Sequence, residues 1–290
     1  MFGDILINGL MAGGMFAILA VGFSLIFGVA KILNMSHTAF YMVTAFLILI
    51  GVTILGFPFL PSLAGSMAIT IILGILCFKL FFDRVKEHQT AVMIISVALA
   101  MLFQEIFLLT FGGHYRGVPA FITGFAEILG TRVSYQHLFA IGASALILAG
   151  LWVLLSRTKL GIAIRAVAED REIANLMGIN LSRIFMIVMA ISVALAGLAG
   201  AVLAPIYMVS PFMWMQPLVI TLAAVVLGGL GSISGCVIAS FILGYTETIV
   251  TFLVPGSTFL RGAVSLSIMV LVLLIRPEGL FGVVFEEERL

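Results

Sequence analysis

The sequence has very few charged residues for its length. Only 9% of its 290 residues are Asp, Glu, Lys or Arg, whereas 63% are hydrophobic, and the mean hydropathy is +1.31. A soluble domain carries roughly a quarter of its residues as charges to keep its surface hydrated. The composition therefore excludes an ordinary soluble globular domain and indicates a protein that is embedded in a membrane.

Cysteine and net charge are also scarce. Cys77 and Cys236 both lie in apolar runs, without the spacing or the companion histidines of a zinc site, and they do not make a disulfide framework. A formal net charge of +1 provides no basic field for nucleic acid. No basic segment precedes the first apolar run and no small-residue cleavage site follows it, so we expect this run to be retained as a span.

Long apolar runs make up most of the chain. A bilayer crossing needs about 20 apolar residues in a helix, which satisfies its own backbone polar groups. The runs are continuously apolar rather than alternating with period two, so the sequence predicts helices and not barrel strands. Nine runs qualify: 5–28, 38–56, 63–82, 90–111, 137–155, 184–206, 217–231, 234–253 and 260–275. Because 217–231 is short and is a candidate for half of a broken helix, we expect roughly eight to ten spans.

The distribution of Lys and Arg predicts the orientation, because these residues are enriched in cytoplasmic loops. With the N-terminus outside and nine alternating spans, eleven of the fourteen basic residues lie inside. The inside residues are Lys31, Lys79, Arg84, Lys86, Arg157, Lys159, Arg165, Arg171, Arg183, Arg276 and Arg289. The outside residues are Arg116, Arg132 and Arg261. The sequence therefore predicts an outer N-terminus and an inner C-terminus.

Two connections between spans are unusually long. Residues 112–136 are too many for a tight turn and too apolar for a free linker, so we expect an outer interfacial or re-entrant segment. Residues 156–183 are the most charged stretch of the chain and lie on the predicted inner side. We treat residues 1–290 as a single transmembrane domain that includes both connections.

The inner loop contains start and stop signals for a short helix. Asp170 is a good N-cap, and Gly178 is placed to end the helix in a left-handed conformation. In such a helix Ile173, Ala174 and Met177 are expected to share one face. A helix of two turns has little stability alone, so it must pack on something. An ordinary charged loop and a docking site for a soluble partner both fit these features.

The loop resembles a known motif. The run Arg-Ala-Val-Ala-Glu-Asp at 165–170, followed by Ala174 and Gly178, is similar to the cytoplasmic coupling motif of ABC importer permeases, above all the LivH/LivM branched-chain amino acid permease family. In that family the segment holds a short helix in a cleft on the ATPase subunit. The resemblance implies that these residues couple the chain to an ATPase: Arg165, Ala168, Glu169, Asp170, Ile173, Ala174, Met177 and Gly178.

Four further regions carry the same resemblance in the same order. They are the glycine-rich first span with Asn-Met-Ser-His at 34–37, Phe-Gln-Glu at 103–105 before Phe-Gly at 111–112, Leu-Gly-Gly-Leu-Gly-Ser-Ile-Ser-Gly at 227–235, and Arg-Pro-Glu-Gly-Leu-Phe-Gly at 276–282. Thr38 stands where the family has a glycine, so the turn there is expected to differ.

The resemblance implies an all-α permease of an ATP-driven importer in a bacterial or archaeal inner membrane. Its implied partners are a LivM-like second permease, two ATPase subunits and a soluble periplasmic substrate-binding protein. Branched-chain amino acids are the implied solutes, with urea, amides or aromatic acids as alternatives within the family. No cofactor is expected on this chain. ATP is expected on the partner subunits, because the chain lacks the Gly-x-x-x-x-Gly-Lys-Ser/Thr loop that holds nucleotide phosphates.

Candidates for the solute path are more ambiguous. The glycines at 228, 229 and 231 predict either close helix packing or a helix break of the kind that transporters use to bind solutes. Placing an ionisable side chain at membrane depth costs free energy. Glu105 and Glu247 are therefore expected to serve either interhelical hydrogen bonding or contact with the solute. His37 is a candidate structural residue or ligand. The predicted path set is Asn34, His37, Gln104, Gly228, Gly229, Gly231 and Glu247.

Two rival functions are weaker. An intramembrane enzyme needs catalytic groups gathered at one depth, whereas the four histidines are scattered along the chain and the deep carboxylates lie on distant spans. A stand-alone secondary carrier needs no coupling loop. Co-purification of an ATPase subunit separates this second rival from an importer permease.

Overall fold

The computed structural model describes residues 2–85, 88–128, 130–254, 261–276 and 279–281. The elements in chain order are α1 (Phe2–Ala30), α2 (His37–Leu49), α3 (Phe59–Cys77), α4 (Asp83–Val85), α5 (Gln89–Phe111), β1 (Phe125–Ile128), β2 (Thr131–Ser134), α6 (Tyr135–Arg157), α7 (Lys159–Glu169), α8 (Arg171–Leu176), α9 (Leu181–Leu203), α10 (Met215–Gly228), α11 (Ile233–Leu253) and α12 (Arg261–Ile275). Short π-helical segments extend α2 and α3 as far as Ile54 and Phe82.

Seven of the described helices are long and apolar enough to cross a membrane. They are Phe2–Ala30, His37–Ile54, Phe59–Val85, Gln89–Phe111, Tyr135–Arg157, Leu181–Leu203 and Ile233–Leu253. The shorter apolar helices Met215–Gly228 and Gly262–Ile275 fall on the last two short runs. Each of the nine apolar runs has thus become a helix, and the all-α, multi-pass fold class is confirmed.

The centre of the bundle consists of α1, α2 and α9. In their most apolar 18-residue windows, 83% of the α1 residues and 67% of the α9 residues are buried, against 22% in α6. Helices α3, α5 and α6 turn many large apolar side chains outward. Because such a surface is unstable in water, it suits lipid or another membrane chain.

Close packing of α1 against α11 depends on glycine. A Cβ atom at Gly244 would lie 2.6 Å from Gly13 Cα, and a Cβ at Gly13 would lie 3.1 Å from Phe241 Cα. A Cβ at Gly9 would overlap the ring of Tyr245. The Gly9-x-x-x-Gly13 spacing in the sequence favours such a close approach, and a residue with a side chain would leave no room for α11 at this crossing.

The glycine cluster after α10 forms a tight turn into α11. Gly229 and Gly231 have φ angles of 98° and 88°, which disfavour any side chain. The backbone of Gly228 lies directly against that of Gly235 in the first turn of α11. The close packing predicted for this cluster is therefore observed.

Backbone groups of residues 280 and 281 form hydrogen bonds to the end of α10. The N–H groups of Leu280 and Phe281 donate to the carbonyl oxygens of Leu227 and Gly228 at 2.8 and 3.2 Å. These carbonyls belong to the last turn of α10 and have no partner within the helix. Within the resembling motif at 276–282, residues 277, 278 and 282 lie outside the described residues.

The predicted outer segment contains a β-hairpin. Strands β1 and β2 pair antiparallel, with Phe125 opposite Ser134. Thr131 Oγ1 donates to Asp4 Oδ2 at 3.4 Å, which brings the hairpin to the start of α1. Arg116 and Val209 exchange backbone hydrogen bonds of 2.9 and 2.7 Å. Residues 112–134 and 204–214 therefore meet at the end of the bundle where α1 begins, which we call the N-end.

The charged connection 156–183 lies at the opposite end, where α1 finishes, which we call the C-end. Sequence reasoning predicted one short helix here, but the structure has two, α7 and α8, joined at Asp170. Thr158 starts α7 because its Oγ1 accepts from the N–H of Gly161 at 3.0 Å. Separation of the two long connections onto opposite ends agrees with the predicted alternation. Lys86, Arg289 and the side chain of Arg261 lie outside the described residues.

Candidate coupling surface and candidate solute path

The start of α8 is determined by Asp170. Its extended backbone ends α7, and its Oδ1 accepts from the N–H of Ile173 at 2.9 Å. A carboxylate at this position also complements the positive end of the helix dipole. The predicted N-cap is confirmed. Glu169 is the exposed last residue of α7.

The end of α8 is determined by Gly178. Its φ angle is +85°, and its N–H donates to the Asn175 carbonyl at 3.0 Å. The N–H of Ile179 donates to the Ala174 carbonyl at 3.0 Å. This pair of bonds is the Schellman motif, which satisfies the last carbonyls of a helix and requires a left-handed residue. The predicted stop signal is confirmed.

Three apolar side chains of this helix point away from the protein. Ile173, Leu176 and Met177 are 59%, 85% and 80% exposed. Their i, i+3 and i+4 spacing places them on one side of α8, and we call this set the docking face. Exposed apolar side chains on a helix of six residues are unstable in water without a cover.

Ala174 does not belong to the docking face. It is 3% exposed and packs into the permease core, whereas Ile173 and Met177 point outward. The expectation that all three share one face is therefore wrong. One residue advances the side-chain direction by about 100°, so Ala174 turns into the protein when Ile173 faces out. Leu176 takes the third position on the exposed side, and sequence reasoning missed it.

Arg171 is a second residue that sequence reasoning missed. Its Nε and Nη2 both donate to the Val29 carbonyl, at 3.2 and 3.0 Å, and its Cζ lies 5.3 Å from the centre of the Phe185 ring. Arg171 thus contacts both the last turn of α1 and the second turn of α9. The available signal was its spacing of three residues from Ala174, which places both on the buried side.

The remaining coupling candidates lie on α7. Ala168 is half-buried against the core, while Arg165 is exposed. Both border a cavity of about 650 Å³ near the C-end, between α1, α6, α7 and α11. Arg165 is the charged side chain among the described residues that line it.

Asn34 shapes the turn before α2. Its Oδ1 accepts from the backbone N–H and the hydroxyl of Ser36, at 3.1 and 2.6 Å, and Asn34 is fully buried. An Asn side chain that bonds the backbone two residues later forms a turn of its own. The structure gives Asn34 a role in building this turn.

His37 joins three helices. Its Nε2 lies 3.1 Å from the Leu19 carbonyl of α1, and its Nδ1 lies 3.1 Å from Ser192 Oγ of α9. A carbonyl only accepts, so Nε2 carries the proton and Nδ1 accepts from the serine hydroxyl. The ring also meets Phe23 edge-on and is fully buried. His37 therefore makes the hydrogen bonds of a structural residue.

Gln104 and Glu105 are adjacent but have different surroundings. Gln104 is buried, and its Oε1 accepts from Trp214 Nε1 at 2.9 Å, which connects α5 to the start of α10. Glu105 is exposed and accepts from Gln104 Nε2 at 3.3 Å. Neither residue lines the cavities described here.

Glu247 is the one member of the predicted path set that lines a cavity near the N-end. It is 5% exposed, and its Oε1 accepts from Ser265 Oγ at 2.8 Å. The cavity has a volume of about 560 Å³, and side chains between positions 206 and 213 form part of its wall. Its other polar lining includes Asn8, Tyr41, His137, Gln216, Thr248 and Thr251. Gly231 lines the C-end cavity, whereas Gly228 and Gly229 line neither.

The fold defines the class of protein, which is an all-α, multi-pass membrane protein. One solved structure with a similar fold is PsaBC from Streptococcus pneumoniae in complex with Fab. Its TM-score is 0.53 at 15% identity, and the match covers 94% of this chain and 92% of that one. Another is a putative metal-chelate type ABC transporter in an inward-facing conformation, with a TM-score of 0.51, 16% identity and coverage of 92% and 85%.

The family is shown by sequence. Residues 5–273 match the model of the branched-chain amino acid transport system / permease component, and the chain belongs to this family. It is 28% identical to the high-affinity branched-chain amino acid transport system permease protein BraD of Pseudomonas aeruginosa, over 96% of this chain and 94% of BraD. It is 26% identical to LivH of Escherichia coli K12, over 95% and 94%. The chain is a multi-pass inner-membrane permease subunit.

Proposed function

We propose that this permease imports branched-chain amino acids or closely related small solutes, driven by ATP hydrolysis on separate subunits. Its relatives over nearly their whole length are permeases of branched-chain amino acid transport. The chain lacks a phosphate-binding Gly-x-x-x-x-Gly-Lys-Ser/Thr loop, so ATP binds to its partners and not to this chain.

The single observation that supports the coupling role is the docking face. Ile173, Leu176 and Met177 are exposed on a helix that is capped at both ends by Asp170 and Gly178. Such a rigid apolar projection is suited to insertion into a groove on a soluble subunit. The sequence predicts that residues 156–183 lie on the cytoplasmic side, and this is the side on which an ATPase subunit can bind.

The assembly that follows has four kinds of component. Two ATPase subunits dock at the C-end, a LivM-like permease pairs with this chain in the membrane, and a periplasmic binding protein delivers solute to the N-end. Segment 112–136, with its hairpin, is then the outer surface that the periplasmic binding protein contacts. The exposed apolar sides of α3, α5 and α6 provide area for the second permease and for lipid.

The solute path includes the N-end cavity. Its volume of about 560 Å³ is ample for one amino acid, and its lining combines Met and aromatic side chains with the Glu247 carboxylate. An apolar wall suits a branched aliphatic side chain, and a carboxylate suits an ammonium group. Asn34, His37 and Gln104 support the helices around this path through the hydrogen bonds described above.

The test of coupling is a change confined to the docking face. Replacing Ile173, Leu176 and Met177 with serine should reduce ATPase co-purification by about tenfold or more, because apolar contacts of this kind contribute about 1 kcal/mol or more each. Ile162→Ser is the matched control, since Ile162 is equally exposed, at 58%, on the neighbouring α7. Uptake of radiolabelled leucine into vesicles that hold the complete complex should fall in parallel. Unchanged co-purification in the triple variant would contradict docking at α8.

A further inference from the structure

The docking helix contacts the bundle through the guanidinium group of Arg171 and through the buried side chain of Ala174. We propose that Arg171 is a positioning residue that transmits movement of α8 to α1, and so couples the docked motor to both cavities. This inference rests on the proposed function, because it presupposes that an ATPase docks on α8.

The contact between Arg171 and α1 is directional. Two N–H groups of one guanidinium converge on the Val29 carbonyl at 3.2 and 3.0 Å. Val29 is buried and is in the last turn of α1, where carbonyls have no helical partner and carry the negative end of the dipole. A charge-assisted bond here both satisfies the carbonyl and fixes the distance between the two helices.

The guanidinium is also held from the side of α9. Its Cζ lies 5.3 Å from the Phe185 ring centre, and Phe185 is buried. Arginine stacks on aromatic faces as well as donating hydrogen bonds, whereas lysine has no planar fork. The side chain is thereby restricted to one orientation between α1 and α9.

The docking face and these anchors are on opposite sides of α8. Ile173 and Met177 point outward, while Arg171 and Ala174 point into the permease. A force applied to the docking face therefore reaches the bundle through Arg171 and the Ala174 contact. The helix has only six residues and is capped at both ends, so it moves as a unit.

Helix α1 extends this connection to both cavities. Asn8, Met11 and Met15 of α1 line the N-end cavity, and Val21, Ser24 and Val29 line the C-end cavity. Its first half is fixed against α11 by the Gly13–Gly244 contact. A displacement of the last turn of α1 thus changes the walls of the C-end cavity first and is transmitted along a continuous helix toward the N-end cavity.

Arg171→Gln and Arg171→Lys test the connection in the complete complex in vesicles. Arg183→Gln is the matched control, because Arg183 is an exposed arginine near the same connection. Three quantities are measured: ATPase co-purification, ATP hydrolysis, and uptake of radiolabelled leucine. The ratio of ATP hydrolysed to leucine transported reports coupling, which a loss of protein or of docking alone does not alter.

We expect all three variants to retain the ATPase. Arg171→Gln should raise the ratio of ATP hydrolysed to leucine transported by about tenfold, within the usual range of coupling between distant sites. Arg171→Lys should raise it less, because one ammonium reaches the Val29 carbonyl without the fork or the ring contact. Arg183→Gln should leave it at the wild-type value.

Two results would overturn the inference. One is an unchanged ratio in Arg171→Gln, and the other is loss of the ATPase from that variant, which would make Arg171 part of the docking site instead. Failure of the proposed function has a different signature, since the serine variants of the docking face would then retain the ATPase. If Arg171→Gln is too unstable to purify, Arg171→Lys provides the test. An unchanged ratio of ATP hydrolysed to leucine transported in that variant would then overturn the inference.

Discussion

The docking face and the predicted solute path differ in how their residues meet the rest of the protein. On α8, Asp170 and Gly178 act on backbone groups within three residues in the chain. In the path set, His37 and Gln104 bond to Ser192 and Trp214, which are more than 100 residues away. The first region is defined by local chemistry and the second by tertiary packing.

This difference explains why the two caps of the coupling helix could be predicted from the sequence, whereas the contacts of the path residues could not. Caps and left-handed turns depend on a few neighbouring residues, so their signal is present in the sequence. A cavity depends on which helices pack together and at what rotation, and no short motif encodes that. Polar residues at membrane depth are equally expected at a solute site and at a helix–helix hydrogen bond.

The largest effect is expected from disrupting the local signals of α8. Gly178→Val forces a β-branched residue into φ +85°, and Ala174→Trp overfills a site that is 3% exposed. Both should lower leucine uptake and ATPase co-purification by about tenfold or more, while the permease still inserts. Gly178→Asn is the control, since Asn tolerates the left-handed region. Normal uptake in the Val variant would show that the shape of α8 is unimportant for coupling.

The next effect concerns stability in the path set. His37→Leu leaves the buried Ser192 hydroxyl without its acceptor and should lower the free energy of unfolding by about 2 kcal/mol. Thermal unfolding of the detergent-solubilised complex measures this. Ser192→Ala and the double variant complete the cycle, in which the two changes should be non-additive. Additive changes would mean that the two side chains do not interact.

Glu247→Gln should affect transport more than stability. The amide keeps the volume and can still accept from Ser265, but it removes the negative charge from the N-end cavity. Leucine uptake should fall by about fivefold to thirtyfold, because a charge-assisted contact with the solute ammonium is lost. Thr246→Val, on the same helix but outside the cavity lining, is the control. Uptake at the wild-type rate would remove Glu247 from the solute path.

The smallest effect is expected beside Arg171. Lys31 has φ +52°, which is unfavourable for a residue with a side chain, and burial together with the nearby Arg171 guanidinium lowers the pKa of its ammonium. Lys31→Gly should therefore raise the free energy of unfolding by about 1 kcal/mol, measured by thermal unfolding. Lys31→Ala removes the same charge but keeps the strained φ, so its free energy of unfolding should rise less than that of Lys31→Gly. An equal rise in the free energy of unfolding of the two variants would show that removal of the charge, and not relief of the strained φ, causes the stabilisation.

Several tertiary features had partial signals in the sequence. The Gly9-x-x-x-Gly13 spacing indicated a close helix contact but did not identify α11 as the partner. The glycines at 228–231 indicated close helix packing or a helix break, and only the tertiary structure identified Gly235 as the packing partner of Gly228. Arg171 looked like an exposed residue of a charged loop, since its acceptor, Val29, is 142 residues earlier in the chain.

The sequence alone determined that this protein crosses a membrane many times as helices, where α8 begins and ends, and to which family the chain is similar. The first two properties follow from apolar run length and from caps, which act over about 20 residues or fewer, and the third follows from short motifs in the same order along the chain. Only the tertiary structure decided that Ala174 faces inward, that Arg171 holds α1, and that Glu247 lines a cavity while His37 does not. Each of these depends on helix rotation and on contacts between distant segments, because a side chain's role in a packed bundle is determined by what lies opposite it.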